Sequence, residues 1–454
     1  MIKALFTTPD GKNRSFTFAC ICSLFLLWGV CNLLLDDLNK LFRSSLQLSN
    51  MQAAFVQGVW YSAYLFMAFP AGWVAKRFGY RGGILSGLAI VILGSLLFIP
   101  VTKVVASQAV VYGLFLTVLF ILATGLVFLE TLANPYTTVL GPKESAVTRI
   151  NLAQSCNGIG SIVGPFLGAT FILSQTEVSN SSNADLYRPY LIIAGIVALM
   201  FIVFALVPIP EIEAPEEAKS PEKSTEHVRS IIHEKHYILG IVSQFFYCFA
   251  QTGIFSLFII YVVDKNNQHM PPLPTWLTNL LPDTMKYLHG TEWHITDYAG
   301  GVLFSGAFIF FTIGRFSGGF IVRYFSPHRT LGVYAVTNVV LMLLLYLNLG
   351  WTSVISLILS FFFMSIMYPT HFALAIRGMG DRTKYAAAGM VTAILGAGIG
   401  PIAMGWIADN YDMASSFLLP LICFVFIAFY GFFWKNLFSG DMEPEGEPSS
   451  IATH

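Results

Sequence analysis

A charge inside a stretch apolar enough to cross a bilayer costs a few kcal/mol, so each one asks for a reason. Few stand in such places here: Asp36 and Asp37 toward the end of the first apolar stretch, Glu130 in LVFLETLANP, Arg315 in IGRFSGG and His371 in YPTH. Glu130 has no basic residue close in sequence. A carboxyl group in a dry cavity resists ionisation, and one that gains and loses a proton as its cavity opens to each side of a membrane is a proton carrier. The structural alternative is a carboxylate at a helix end facing headgroup water, or one bonded to a neighbouring helix. Trp28, Asn32, Asp36 and Lys40 recur every four residues and form one stripe, with Asp37 about 100° round the helix. The stripe with Asn32 favours Asp36 as the second protonatable group; Asp37 remains its alternative, as a solvated residue where the helix meets water.

Uncharged polar residues recur with the same periodicity. Gln154, Asn157 and Ser161 share one face, as do Gln244, Tyr247 and Gln251, and Gln57, Tyr61 and Tyr64. Amides and phenols on one face offer paired donors and acceptors for the hydroxyls of a small polar solute. The competing reading is helix-to-helix hydrogen bonding, worth about 1 kcal/mol each. In Tyr368-Pro369-Thr370-His371 the proline breaks a helix and frees a carbonyl, leaving Tyr368 placed to line a cavity. His371 is of the type that titrates near neutrality, but a lone histidine is more often a hydrogen-bonded packing residue. Arg315, flanked by glycines, reads as an anchor at the edge of the bundle.

The elements that position these residues follow from composition. Hydrophobic residues make up 55% of the 454 residues and charged ones only 11%, against about a quarter charged in soluble domains. Lipid is therefore the solvent. A ruler of about twenty apolar residues per span gives helices over 16–38, 51–75, 82–100, 107–131, 148–174, 188–208, 237–262, 297–322, 328–349, 351–376, 384–407 and 415–437. The expected fold is an all-α membrane protein of twelve transmembrane helices in two six-helix bundles. Residues 1–208 form the first bundle, 209–236 a polar linker, 237–439 the second bundle and 440–454 a disordered tail. The loop 263–296 is expected to lie in part as an interfacial helix.

Eighteen of the 25 Lys and Arg residues fall on one set of alternating loops, which places both termini in the cytoplasm of a multi-pass protein of the cell inner (plasma) membrane. Balanced charge without a basic block excludes nucleic acid as a partner. Neither HExxH nor GxSxG occurs and the acids are scattered, so an enzyme is not expected, nor is a cofactor or metal. The six cysteines sit in apolar stretches, as small packing residues. Asn180-Ser181-Ser182 forms a glycosylation sequon that chance explains. GWVAKRFGYRGGIL (72–85) and GGFIVRYFSPHRTL (318–331) echo each other at equivalent places in the two halves, as an internal duplication would.

Those paired loops resemble the loop between the second and third helices of the major facilitator superfamily, with Lys76 where that motif usually has an acid. FLETLANPYTTVLGP (128–142), NLAQSCNGIGSIVGP (151–165), LFLLWGVCNLLLDDL (24–38), IGRFSGGFIVRYFSPH (313–328) and MSIMYPTHFAL (364–374) are similar to the L-fucose:proton symporter family within it. The likeness covers about 16–435. It implies alternating access around a central cavity and proton-driven uptake of a neutral monosaccharide of fucose, galactose or glucose type. The implied proton-coupling residues are Asp36, which aligns with the family's helix-1 aspartate, and Glu130. Substrate binding then falls to Asn32, Gln154, Asn157, Gln244, Tyr247, Gln251, Tyr368, Gln57 and Tyr61. The family pattern can carry two adjacent asparagines in helix 1, and here the second is Leu33. The partners implied are the sugar, protons and the lipid bilayer, with the monomer as the working unit. Sodium coupling or facilitated transport on the same fold is the alternative, and a sugar receptor that moves nothing is the alternative of another class. Gly158, Gly160, Gly164 and Gly168, with Gly396, Gly398 and Gly400, are expected to let helices 5 and 11 cross closely.

Overall fold

An apolar chain in lipid must satisfy every backbone N–H and C=O within itself, and helices do so residue by residue. In the computed structural model the chain is accordingly almost wholly helical; it describes residues 5–8, 11–45, 50–168, 188–207, 209–210, 231–263, 273, 278–279, 281–289 and 292–438. The N-terminal helices are α1 (Ser15–Ser45), α2 (Asn50–Thr102), α3 (Gln108–Val139), α4 (Ala146–Gly168) and α5 (Arg188–Leu206). After them come α6 (Lys235–Val263), α7 (Asp297–Tyr324), α8 (Pro327–Tyr346), α9 (Trp351–Met364) and α10 (Met367–Ile376). The chain continues through α11 (Thr383–Thr392), α12 (Gly396–Asn410), α13 (Met413–Ser416) and α14 (Leu418–Leu437). Among the described residues eight helical segments are long and apolar enough to cross a membrane, and Ser15–Cys31 and Tyr190–Leu206 are shorter apolar helices.

Breaks in the helices have local causes. The segment Phe55–Thr102 has 48 residues, about 70 Å of helix against a bilayer core of about 30 Å. It turns at Gly79, where φ is 74°, a left-handed conformation that costs glycine little. The turn falls between the stretches 51–75 and 82–100, each expected to be a span. Between α9 and α10 the helix breaks at Ser365–Ile366, before Tyr368-Pro369 rather than at it. Pro369 is the third residue of α10, where its missing N–H belongs to a first turn that has no partners to lose. A single turn over Ala393–Leu395 separates α11 from α12. Glu130, expected near a helix end, is well inside α3, which continues through Pro135 to Val139.

The described part of loop 263–296 is not the expected interfacial helix. It holds an antiparallel hairpin of β1 (Lys286–His289) and β2 (Glu292–Ile295), with Lys286 opposite Ile295. Lys286 Nζ lies 5.2 Å from the centre of the Trp293 ring and 3.3 Å from Asp283. Residues 211–230 of the linker, the sequon at 180–182 and the tail from 439 lie outside the described residues.

Glycine lets backbones touch in two equivalent places. A side chain at Gly29 in α1 would overlap the Asn157 carbonyl of α4, and one at Gly160 the Leu26 carbonyl of α1. Further along the chain, Gly396 and Gly400 lie in the same way against the Phe245 and Phe249 carbonyls of α6. Gly160 thus packs on α1, and Gly396 and Gly400 pack on α6, while Gly158 faces Thr312 of α7 and Gly398 faces Tyr61 of α2.

At the end of the molecule rich in Lys and Arg, cations cap the carbonyl ends of helices, where the helix dipole is negative. Arg149 is wholly buried. Its guanidinium donates to the carbonyls of Thr137 at 2.9 Å, Pro142 at 2.9 Å and Leu5 at 3.2 Å, which closes α3 and holds the chain's start. Arg81 donates to the Ala205 carbonyl at the end of α5. Lys384 of α11 reaches across to the N-terminal helices. Its Nζ donates to the Ala75 carbonyl at 3.2 Å and lies 4.5 Å from the Tyr80 ring centre, while Lys76 lies 5.1 Å from that of Tyr385.

Candidate functional site

The helix break ahead of Pro369 sets the site. It leaves the carbonyls at the end of α9 without helical partners, and two long side chains take them. Tyr247 of α6 donates from Oη to the Met364 carbonyl at 3.0 Å, and Arg315 of α7 donates from Nε to the Ser365 carbonyl at 3.1 Å. The new helix then presents Tyr368 in its first turn. Tyr368 Oη donates to Glu130 Oε1 at 2.5 Å, joining residues 238 apart in sequence. Both are buried, at 7% and 4% exposure. Trp28 and Tyr64 approach the same carboxyl group and are bonded to each other, indole Nε1 to phenol Oη at 2.9 Å. Glu130 Oε2 is buried with no hydrogen bond completed.

One helix away, α4 presents Gln154 and Asn157, both buried. Gln154 Nε2 donates to Asn134 Oδ1 at 3.0 Å. Arg315, only 4% exposed, crosses from α7 to this face. Its Nη1 donates to Asn157 Oδ1 at 2.9 Å, to the Gln154 carbonyl at 2.7 Å and to Gln154 Oε1 at 3.3 Å, and the guanidinium lies 4.5 Å from the Phe311 ring centre. Asn157 Nδ2 and both side-chain polar atoms of Gln244 are buried and unpartnered. Buried polar atoms of this kind are few in native proteins, and here several belong to residues that the sequence assigns to a solute.

Residues 16–282 match the family model of the Major Facilitator Superfamily. The chain belongs to that superfamily. Two curated relatives are each 33% identical to it: the glucose/galactose transporter of Brucella abortus (strain 2308), over 93% of this chain and 95% of its own, and the L-fucose-proton symporter of Escherichia coli (strain K12), over 93% and 94%. The crystal structure of the E. coli fucose:proton symporter superposes with a TM-score of 0.74 at 32% identity, covering 92% of this chain and 98% of that one. A second structure, of that transporter in the outward conformation, gives a TM-score of 0.75. Within the superfamily the chain therefore groups with the L-fucose-proton symporters, which are transporters and not enzymes.

In this superfamily member the expected site residues divide into three groups. Glu130, Tyr368, Gln154, Asn157 and Tyr247 gather around the break between α9 and α10, with Gln244 one turn before Tyr247 on the same face of α6. Gln57, Tyr61 and Gln251 are half-buried: Tyr61 packs beside Gly398 with its ring 6.2 Å from that of Tyr64. Asn32 and Asp36, with Asp37, fall on α1 with side chains outside those described. His371 is held as a packing residue, with Nε2 2.7 Å from Ser243 Oγ and Nδ1 2.7 Å from the Met367 carbonyl.

Sequence reasoning set Arg315 at the bundle edge and passed over Asn134 and Trp28 as site residues. Arg315 carried a signal of its own, as the basic residue inside an apolar span. Trp28 shares the stripe of Asn32 and Asp36, and Asn134 lies in the LETLANP motif, one turn after Glu130.

Proposed function

We propose that this chain takes up a neutral monosaccharide together with a proton by alternating access. The observation that carries the reading is the Glu130–Tyr368 bond, set beside buried polar atoms of Glu130, Asn157 and Gln244 that have no protein partner. A carboxyl group whose bond bridges two parts of the chain feels any movement between them. Amides with free hydrogen-bonding capacity suit hydroxyls and offer no full charge to neutralise an ion. Relatives named as a glucose/galactose transporter and an L-fucose-proton symporter support a sugar as the solute and a proton as the coupling ion.

In this reading twelve spans form two six-helix bundles, over 1–208 and 237–439, joined by the linker 209–236 and followed by the tail 440–454. The limbs of α2 count as two spans, α9 with α10 as one and α11 with α12 as one. The Lys- and Arg-rich end, with both termini, faces the cytoplasm of a multi-pass inner-membrane protein that works as a monomer. Asp36 joins Glu130 in proton coupling, and Asn32, Gln57, Tyr61 and Gln251 complete the sugar site as the cavity changes shape.

The test is sugar-induced alkalinisation in unenergised vesicles with fucose, galactose, glucose, mannose and N-acetylglucosamine. One sugar should give an alkaline shift that Glu130→Gln abolishes while sparing sugar exchange. Uptake that continues without a proton gradient and stops without sodium would replace the proton in this reading.

A further inference from the structure

Arg315 is a cation in the centre of the site, and neither proton coupling nor sugar binding as set out above gives it a task. Its bonds run in two directions. Nε holds the Ser365 carbonyl, which belongs to the C-terminal helices. Nη1 holds Asn157 Oδ1 and Gln154 Oε1, which belong to the N-terminal helices and are acceptors that the proposed function gives to sugar. A guanidinium carries five N–H donors in a rigid fork and no acceptor. Toward these two amide oxygens it offers what sugar hydroxyls offer, donated protons, and both cannot use the same lone pairs in full.

We propose that Arg315 is a displaceable stand-in for the sugar, a positioning residue that occupies the acceptors of Asn157 and Gln154 when the carrier changes sides unloaded and yields them to the incoming solute. The inference rests on the reading of Gln154 and Asn157 as sugar-binding residues. A symporter must return empty after each delivery, and closing on empty amides would bury unsatisfied acceptors. Arg315 satisfies them from within and ties the two parts of the chain together as it does so. Stacking against Phe311 at 4.5 Å gives the guanidinium a partner that does not depend on those oxygens.

The experiment separates loaded from unloaded movement. In the full-length chain reconstituted in vesicles, Arg315→Gln should slow net uptake and efflux about tenfold, since these need the empty carrier to return, while equilibrium exchange of sugar stays within about threefold of the parent. Its half-saturation for sugar should fall, because a competitor for the same acceptors is gone. Equal loss of exchange and net uptake in a variant that melts like the parent would overturn the proposal, because it would mark a merely structural role. Should Arg315→Gln fail to fold, Arg315→Lys supplies the second arm, since a single ammonium cannot hold the Ser365 carbonyl and the amide oxygens of Asn157 and Gln154 together. Net uptake should then slow several-fold more than equilibrium exchange does, and an equal loss of the two would also overturn the proposal. Failure of the underlying reading would show earlier, as parental vesicles in which no sugar of the panel exchanges at all.

Discussion

Lys384→Met tests the closure at the Lys- and Arg-rich end. Methionine keeps the apolar stem and removes the ammonium group, which in this half-buried residue reaches the Ala75 carbonyl and the Tyr80 ring in the other part of the chain. In the bond to the Ala75 carbonyl at 3.2 Å, a charged donor is worth about 1.5 kcal/mol at the low end that suits partial solvation. The contact with the Tyr80 ring at 4.5 Å is worth about 0.5–1 kcal/mol. Together they favour the closed end by about 2 kcal/mol, roughly a thirtyfold change in the equilibrium between closed and open. Lys76→Met loses only its contact with Tyr385 at 5.1 Å from an exposed position, so it should shift the same equilibrium by only about two- to fivefold. Spin labels at Phe78 and Tyr324, both exposed on helices of different parts, would report the populations as a distance distribution. Tyr80→Leu combined with Lys384→Met should be less than additive by about 0.5–1 kcal/mol. Equal shifts for the two lysines, or strict additivity in the double variant, would refute this account of the closure.

The remaining tests address packing and the histidine. Arg149→Met should cost about 3 kcal/mol, because it strips a charged cap from carbonyls that stay buried. Arg149→Lys should recover little of this, since an ammonium cannot reach the carbonyls at 137, 142 and 5 together; thermal melts in detergent would read both. Gly160→Ala places a methyl group on the Leu26 carbonyl and should destabilise the chain by about 1–3 kcal/mol, with Gly400→Ala close behind as its counterpart against Phe249. His371→Gln should lower the melting temperature and leave sugar-induced alkalinisation intact; loss of coupling in a well-folded variant would move His371 into the proton path.

Much of the candidate site was legible because polar residues inside apolar helices are costly and therefore informative. The Gln154–Asn157 face, Glu130, and Tyr368 beside Pro369 were all readable from that cost and from helical periodicity. What could not be read is which of them touch. The Glu130–Tyr368 bond spans 238 residues, and no local pattern records a contact at that separation. Arg315 was misplaced for a related reason. Its flanking glycines suggested an edge, whereas the carbonyl at Ser365 and the amides of α4 draw it to the centre. The break before Pro369 was expected at the proline itself, because sequence marks where a helix is weak but not which neighbouring side chains will take the freed carbonyls. Helix lengths erred in the same direction: α3 continues about two turns past the expected end at 131, since its last residues are buried by neighbours and need not be apolar enough to mark a span.

The two glycine seams divide the molecule into parts that move and parts that do not. Where α1 meets α4, and α6 meets α12, main chain lies directly on main chain, and such a joint can shift only if whole helices separate. Between the N-terminal and C-terminal helices, the bonds described around Arg315, Lys384 and Tyr368 are made by side-chain tips, which can release by changing rotamer. Each glycine seam is thus a weld and each tip contact a clasp. A stroke of transport should undo the clasps one after another and leave the welds intact, and hydrogen exchange along α1, α4, α6 and α12 should be equally slow with and without sugar.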